Sequence, residues 1–359
     1  MLSTVRRAWD ILRDRGVLAT GYSASSYGGN LLADVFEFLR HDVKAARRYD
    51  VPWRTRISAW KRGFHTEAWI WLGLGDEDTT SYLNNVYELR SLPKINGEYM
   101  GVFSDSVAFY HASSPFRLKF PEHYGLIERG NFHGFDDEPP LADVLAEAGD
   151  LILKPIRGSQ GEDVRRLDRR EISNTQLSKL VSSLDGYLVT AFAEQHDYAS
   201  DIHPKSANTV RIFTVIDPAT RQAQVIRAIH RFGTSESAPT DNWSRGGMGA
   251  LIDLKTGMVG SAHYPWSNEG VEVVEVHPET SAEIYGVRVP YWDETLELAI
   301  DLASHHSRAP FVGWDFVVTA DGPVVLEANG WPGISLPQLE KGLLEDPVAR
   351  SFFRDHPHV

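Results

Sequence analysis

Residues 311–333, FVGWDFVVTADGPVVLEANGWPG, constrain this chain more than any other stretch. Two short apolar segments, WDFVV and PVVLEA, flank a turn, which is the pattern of a β-hairpin. Ala320, Asp321 and Gly322 read as a three-residue loop with Gly322 in the left-handed position such loops favour. That loop pairs Thr319 with Pro323 and sets Asp315 opposite Glu327. Period-two alternation then puts Asp315, Glu327 and Asn329 on one face, with Phe316, Val318, Val324 and Leu326 on the other as core. Two carboxylates together on a buried face are costly unless a cation sits between them. All three polar groups offer oxygen, which suits Mg²⁺ with substrate phosphates completing its shell. The plainer alternative is a surface hairpin whose acids are solvated; the apolar residues around them favour the metal.

Length and composition bound the rest. A chain of 359 residues is long enough for two or three domains with ample core. Its net charge of −13 argues against a general nucleic-acid binder or a binder of anionic membranes. Cysteine is absent, which excludes disulfides, thiol nucleophiles and cysteine-based zinc sites, and fits a reducing, cytoplasmic setting. No apolar run approaches the ~18 residues of a membrane span. Residues 1–16 are basic but carry charge through their middle, so they read as an amphipathic helix and not a signal peptide.

Residues 1–95 read as a mainly helical region, with helices from Leu31 and over residues 76–92. Short strands are expected around residues 99–103 and 116–120, and Lys119 in the second of these alternates with apolar neighbours. Residues 141–148 read as a short helix. The segment DLILKPIRGSQGEDVRRL follows, with Lys154 in a buried-type strand and Gly158 and Gly161 bracketing Ser159-Gln160. A strand lysine beside a glycine loop can hold phosphates through charge and backbone N–H groups. An ordinary hairpin with a rim lysine explains the pattern equally well, since the spacing is neither a P-loop nor GxGxxG.

GYLVTAFAE is a further strand, ending at Glu194. Two more strands, SANTVRIFTVID and QVIRAIHRFG, carry Arg211 and Arg231 among apolar residues. Inward arginines need a counter-charge: a phosphate, Glu194 or Asp253. Asn208 is expected beside Arg211, orienting the same group. The loop TSESAPTDNWSRGGMG is long enough to be functional. Residues 291–306 form an amphipathic helix that returns the chain to the acidic hairpin. His305 and His306 at its C-terminal end read as structural, not as zinc ligands.

The order Lys154 with its GSQG loop, LVTAFAEQH, NTVRI, and GWDFVVTADGPVVLEAN resembles the ATP-grasp superfamily. Within it the chain most resembles the sugar-transfer-associated ATP-grasp family, distantly related to the α-L-glutamate ligases. SANTVRI, TDNWSRGGMGALIDLKTG, HPETS and the hairpin carry the likeness over roughly residues 96–340. The resemblance implies an α+β fold in which two subdomains clamp ATP, residues 96–190 and 191–345, between the helical region 1–95 and a tail 346–359.

The resemblance also implies roles. Lys154 would touch the α- and β-phosphates, with Gly158, Ser159 and Gly161 closing over them. Thr190 to Phe192 would bind adenine through backbone, and Glu194 would lie near the ribose. Asp315, Glu327 and Asn329 would hold Mg²⁺. Arg211 and Arg231, with Asn208, would serve the transferring phosphoryl group. Lys119 is the candidate for the family's upstream lysine, because Ser104-Asp105-Ser106 stands where Asn-Asp-Lys is expected. The implied activity is an ATP- and Mg²⁺-dependent carboxylate–amine ligase working through an acyl phosphate. Its partners would be a small-molecule or glycan-linked carboxylate and an amine acceptor. A phosphotransferase on the same site and a non-catalytic nucleotide-binding protein are the alternatives; a glycosidase using Asp315 and Glu327 leaves Lys154 and the arginines unexplained.

Overall fold

A computed structural model describes residues 38–40, 42, 49–75, 79–135, 139–158, 163–267 and 270–356. The proposed helix at residues 1–16, most of the one from Leu31, and Ser159 and Gly161 lie outside the described residues. The chain divides into two compact units. The first comprises Met1–Ile95, Trp266–Glu272 and Gly333–Val359; the second comprises Asn96–Pro265 and Val273–Pro332.

Apart from Trp266–Glu272, whose described residues are strand, the first unit is mainly helical among its described residues, with Trp53–Lys61, Thr66–Trp71, Asn85–Arg90, Leu92–Ile95 and Pro347–Asp355. The helix expected over residues 76–92 begins later, at Asn85, because the Asn84 side chain accepts the Tyr87 N–H and fixes the N-cap there. Gln338 ties the C-terminal segment in. It is 1 % exposed, accepts the Leu83 N–H at 2.7 Å and donates to the Leu83 carbonyl at 2.9 Å. Asp346 caps the last helix, whose Phe352 and Phe353 are buried.

The second unit holds two antiparallel sheets. The strands β1 (His123–Glu128), β2 (Asn131–Gly134), β3 (Leu151–Pro155), β4 (Arg165–Leu167) and β5 (Tyr187–Ala191) form one, in the order β2-β1-β5-β3-β4. The helices Leu141–Ala148 and Asn174–Val181 cover it, and Leu145, Leu153, Leu177 and Val189 share its core. The other sheet contains β6 (Val210–Ile216), β7 (Ala223–Phe232), β8 (Met248–Ile252), β9 (Val259–Ser267), β10 (Gly270–Val274), β11 (Phe311–Thr319) and β12 (Gly322–Asn329), in the order β10-β9-β8-β7-β6-β11-β12. The helix Trp292–His305 packs on one face through Leu298, Ala299 and Leu302, against Ile212, Ala228 and Phe316. Trp314 and Phe316 are fully buried there, each worth about 1.5–3 kcal/mol of hydrophobic stabilisation.

Residues 99–103 and 116–120 are not strands. Gly97–Tyr99 and Met100–Phe103 are helical, and Ser114–Lys119 is a 3₁₀ helix with Pro115 in its first turn. Lys119 therefore lies in a surface groove facing Glu297 and Asp301, not in the cleft described below, which corrects its assignment to the nucleotide.

Candidate active site

The hairpin that dominates the sequence is β11–β12. Its tip differs from the expected one: Thr319 pairs with Gly322 and Val318 with Pro323, so the turn has two residues, Ala320 and Asp321. A bulge between Asp315 and Phe316 then restores the register, and Asp315 does lie opposite Glu327. The bulge changes which residues are core. Val325 and Ala328 are buried, whereas Val324 and Leu326 are half-buried, and Leu326 lines the cleft instead.

Asp315 is 1 % exposed and is gripped by two arginines. Arg211 is its direct neighbour across β6–β11 and donates from Nε and Nη2 to the two carboxylate oxygens, each at 2.6 Å. Arg231 donates from Nη2 at 2.9 Å. Bidentate charge-assisted bonds of this kind are strong and geometrically demanding. Burial alone would raise the Asp315 carboxyl, but Arg211 and Arg231 outweigh it and hold it well below the usual carboxylate range. Burial alone would likewise make Arg211 give up its proton more easily; Asp315 more than reverses that.

Glu327 differs from Asp315. Its nearest cation, Arg211 Nη2, is 3.8 Å away. Burial first, then the charge of Asp315, push it up to about 7 against the pull of Arg211 and Arg231. Protein atoms surround it, yet 56 % of its side-chain surface stays open to water, so solvent tempers that shift. Asn329 Nδ2 approaches Glu327 at 3.3 Å and Asp315 at 3.4 Å, bringing the three expected groups together. Among the described residues no cluster of three or more His, Cys, Asp and Glu has metal-binding geometry. The group offers two carboxylates and an amide whose nitrogen faces them, and Glu327 is open to water with its Arg211 partner at 3.8 Å. Those features suit a hard divalent cation that completes its shell with water or phosphate oxygens.

Lys154 reaches this place from β3. Its Nζ donates to the Leu326 carbonyl at 3.4 Å; burial lowers its basicity and Glu327 raises it. Lys154, Gly158, Glu327 and Asn329 line one cleft together with Ser104, Ser106 and His123. Ser106, at the position where a lysine was expected, offers a hydroxyl and bonds Ile156 through its backbone. Asp105 caps the helix Ser106–Ala112 and pairs with the exposed Arg157. The His123 ring stacks on Tyr110 at 3.8 Å and donates to the Pro121 carbonyl from Nδ1. Burial, then Lys154, drop its pKa to about 3, so it is neutral.

Other expected residues lie elsewhere. Asn208 is 1 % exposed and fully engaged: it donates to the Ala199 and His203 carbonyls at 2.8 Å and accepts the Gly233 N–H. It precedes β6, and these bonds turn its side chain to the Ala199–His203 segment and Gly233, not to Arg211. Thr209 takes the place expected of it. Neither Glu194 nor Asp253 is the counter-charge of the arginines. Asp253 caps its own turn through Lys255 and Thr256, and Glu194 is exposed. Asp315 and Asp241 fill that role, with Asp241 Oδ1 3.3 Å from Arg231. Asp241 and Thr209 are the site residues that sequence reasoning missed.

The N–H groups of Ala191 and Phe192, expected to meet a base, are engaged within the protein. Thr190 lies in the central strand β5, between His123 and Ile152, while the N–H groups of Ala191 and Phe192 donate to the Glu122 and Asp150 carbonyls. The Phe192 ring is covered by the Arg166 guanidinium at 3.8 Å.

The profile of the family described as sugar-transfer associated ATP-grasp matches residues 87–349. The chain belongs to this family. Its α+β architecture of two antiparallel sheets with flanking helices is thus an ATP-grasp fold. Among solved structures, the chain is similar to the ATP-grasp ligase PsnB complexed with minimal precursor, at 15 % identity and a TM-score of 0.39. That match covers 72 % of this chain and 62 % of the PsnB chain, so this chain spans less than two thirds of that protein's length. It is also similar to the D-cycloserine synthetase DcsG, at 16 % identity, TM-score 0.40 and 72 % coverage of each chain. A third is a D-alanine–D-alanine ligase from Bacillus anthracis, at 11 % identity and TM-score 0.41, covering 71 % of this chain and 69 % of that one. No curated protein matches. No helix among the described residues is long and apolar enough to cross a membrane.

Proposed function

We propose that this ATP-grasp protein is an ATP- and Mg²⁺-dependent carboxylate–amine ligase that releases ADP and phosphate. One observation carries the reading: Asp315, Glu327 and Asn329 converge on one sheet face with Arg211 and Arg231, while Lys154, from the other sheet, shares the adjoining cleft with Glu327 and Asn329. Mg²⁺, held by Asp315, Glu327 and Asn329, would supply charge neutralisation for the polyphosphate of ATP. Lys154 binds phosphate oxygens as a partly desolvated cation. Arg211 and Arg231 face the γ-phosphoryl group and stabilise the negative charge that develops as it moves to the carboxylate substrate. The amine then attacks the acyl phosphate at its carbonyl carbon, and phosphate leaves. Base recognition is assigned to Ala193 and Glu194, directly after β5, since the preceding N–H groups are committed to the protein. The ligands of the cleft are thus ATP, a carboxylate and an amine.

The test uses ATP, Mg²⁺, a panel of carboxylates and hydroxylamine, which intercepts acyl phosphates as hydroxamates. A ligase yields ADP and hydroxamate together. ADP formed with a stable phosphorylated product and no hydroxamate would make the protein a phosphotransferase instead.

A further inference from the structure

Arg231 is held by a relay that leads out of the cleft into the loop of residues 233–247. Its Nε and Nη2 donate to Thr209 Oγ1 at 2.9 and 2.6 Å, and Nη2 also reaches Asp315 at 2.9 Å. Thr209 Oγ1 accepts from the arginine, so its single proton goes the other way, to Asp241 Oδ2 at 2.5 Å. The same Asp241 oxygen accepts the Thr209 N–H at 2.8 Å, and its Oδ1 lies 3.3 Å from Arg231. Asp241 is 4 % exposed.

The loop around Asp241 is shaped to hold it there. Gly247 donates to the Asn242 carbonyl, and a Cβ on Gly247 would come within 2.3 Å of the Asp241 carbonyl oxygen. Thr234 Oγ1 donates to the Gly246 carbonyl at 3.0 Å, closing the loop near its base. A buried carboxylate seldom survives without strong partners. Asp241 has three of them, and all lie on Thr209 or Arg231.

We propose that Asp241, acting through Thr209, is a positioning residue for Arg231. The Asp315 carboxylate pulls Arg231 toward the metal side. The Thr209–Asp241 relay holds its other side, so that the guanidinium is fixed between Asp315 and Thr209 in one orientation toward the place where the γ-phosphate arrives. The inference rests on the assignment of this cleft to ATP. It goes further in naming what sets the arginine and in tying the loop of residues 233–247 to it.

The test is titration calorimetry with Mg²⁺·ADP and with Mg²⁺·AMPPNP, a non-hydrolysable triphosphate, on wild type and Asp241→Asn. Removing a negative charge near the cleft would, by charge alone, tighten triphosphate binding. Positioning predicts the opposite: AMPPNP affinity falls about tenfold, as expected for one misplaced charge-assisted bond, while ADP affinity stays within twofold. Unchanged ADP binding also reports an intact fold. If Asp241→Asn loses ADP binding as well, the pair Thr209→Val and Thr209→Ser decides. Valine should lose the preference for triphosphate and serine, which keeps the hydroxyl, should retain it. AMPPNP binding that is equal or tighter in Asp241→Asn, or a Thr209→Val variant with normal preference, overturns the proposal. Wild type that binds neither nucleotide overturns the assignment of the cleft itself, a result distinct from any change between variants.

Discussion

Asp315→Asn gives the sharpest prediction on stability. The substitution keeps the shape of the side chain but leaves two largely buried guanidinium groups, Arg211 and Arg231, 14 % and 11 % exposed, facing a neutral amide. Breaking a buried ion pair from one side costs about 3–5 kcal/mol. Arg231 retains Thr209 and Asp241, and Arg211 retains Glu327 at 3.8 Å, so the lower end of that range, about 3 kcal/mol, is expected. With a urea slope of about 3 kcal/mol per molar, the midpoint should fall by about 1 M. The pH dependence has a definite sign. A carboxyl held below its unfolded value stabilises the fold above that value and loses the contribution as pH falls toward the folded one. The ion pair's own share of the gap should therefore shrink only below about pH 4, and because the variant also lacks the Asp315 charge that raises Glu327, the gap should narrow modestly as pH rises from about 5 to 8 and never as it falls from 8 to 5. Urea denaturation at pH 4, 5 and 7.5 measures it. A midpoint shift under about 0.3 M at pH 7.5, or a gap that closes between pH 8 and 5, would refute the ion-pair argument.

Three further outcomes are expected. Lys154→Ala should weaken ATP binding by about 1.5–3 kcal/mol in calorimetry, the worth of a hydrogen bond to a charged group; an unchanged affinity would move the phosphate site elsewhere. Asn208→Ala should cost about 1–3 kcal/mol in denaturation, because it strands the buried Gly233 N–H, while the Ala199 and His203 carbonyls keep the His203 N–H and Gln195 Nε2 as donors, yet leave ATP affinity within twofold; lost affinity at wild-type stability would return Asn208 to the site. His306 is buried between Tyr99 and Ser113, and burial first, then His305, hold its pKa at about 4. The unfolded imidazole takes up a proton near pH 6.5, so wild type should lose stability as pH falls from about 6.5 to 4, at most about 1.4 kcal/mol per pH unit from this residue. His306→Gln should flatten that slope, and an identical slope in both proteins would contradict the assignment.

The acidic trio was legible in the sequence because parity survives small errors. A three-residue loop without a bulge and a two-residue turn with one both set Asp315 against Glu327. The bulge itself leaves no composition mark, so the exchange of Val324 and Leu326 for Val325 and Ala328 in the core was invisible. Arg211 and Arg231 stood out as charges in apolar strands. Asp241, the second carboxylate on Arg231, did not, because it lies in a loop beyond β7 that only tertiary folding brings back to the arginine. Asn208 and Thr209 both precede β6, so strand parity does not decide between them; Asn208 turns to the Ala199 and His203 carbonyls and Thr209 meets Arg231, partners that only the tertiary fold supplies. The commitment of the Ala191 and Phe192 N–H groups depends on Glu122 and Asp150, distant in sequence, and no local pattern signals it. For Lys119 the alternating apolar pattern competes with Ser-Ser-Pro, a helix-start signal, and the helix wins.

The most direct test of a nucleotide–metal site at the hairpin is a thermal shift with ATP, with and without Mg²⁺, on wild type and Glu327→Gln. A ligand that binds the folded state raises its apparent stability by mass action, by about 2.7 kcal/mol at a hundredfold excess over Kd. The account predicts a rise in Tm for wild type that needs both ATP and Mg²⁺, and its loss in Glu327→Gln with the ligand-free Tm not reduced. No shift in wild type at millimolar Mg²⁺·ATP, or an equal shift in the variant, would contradict it.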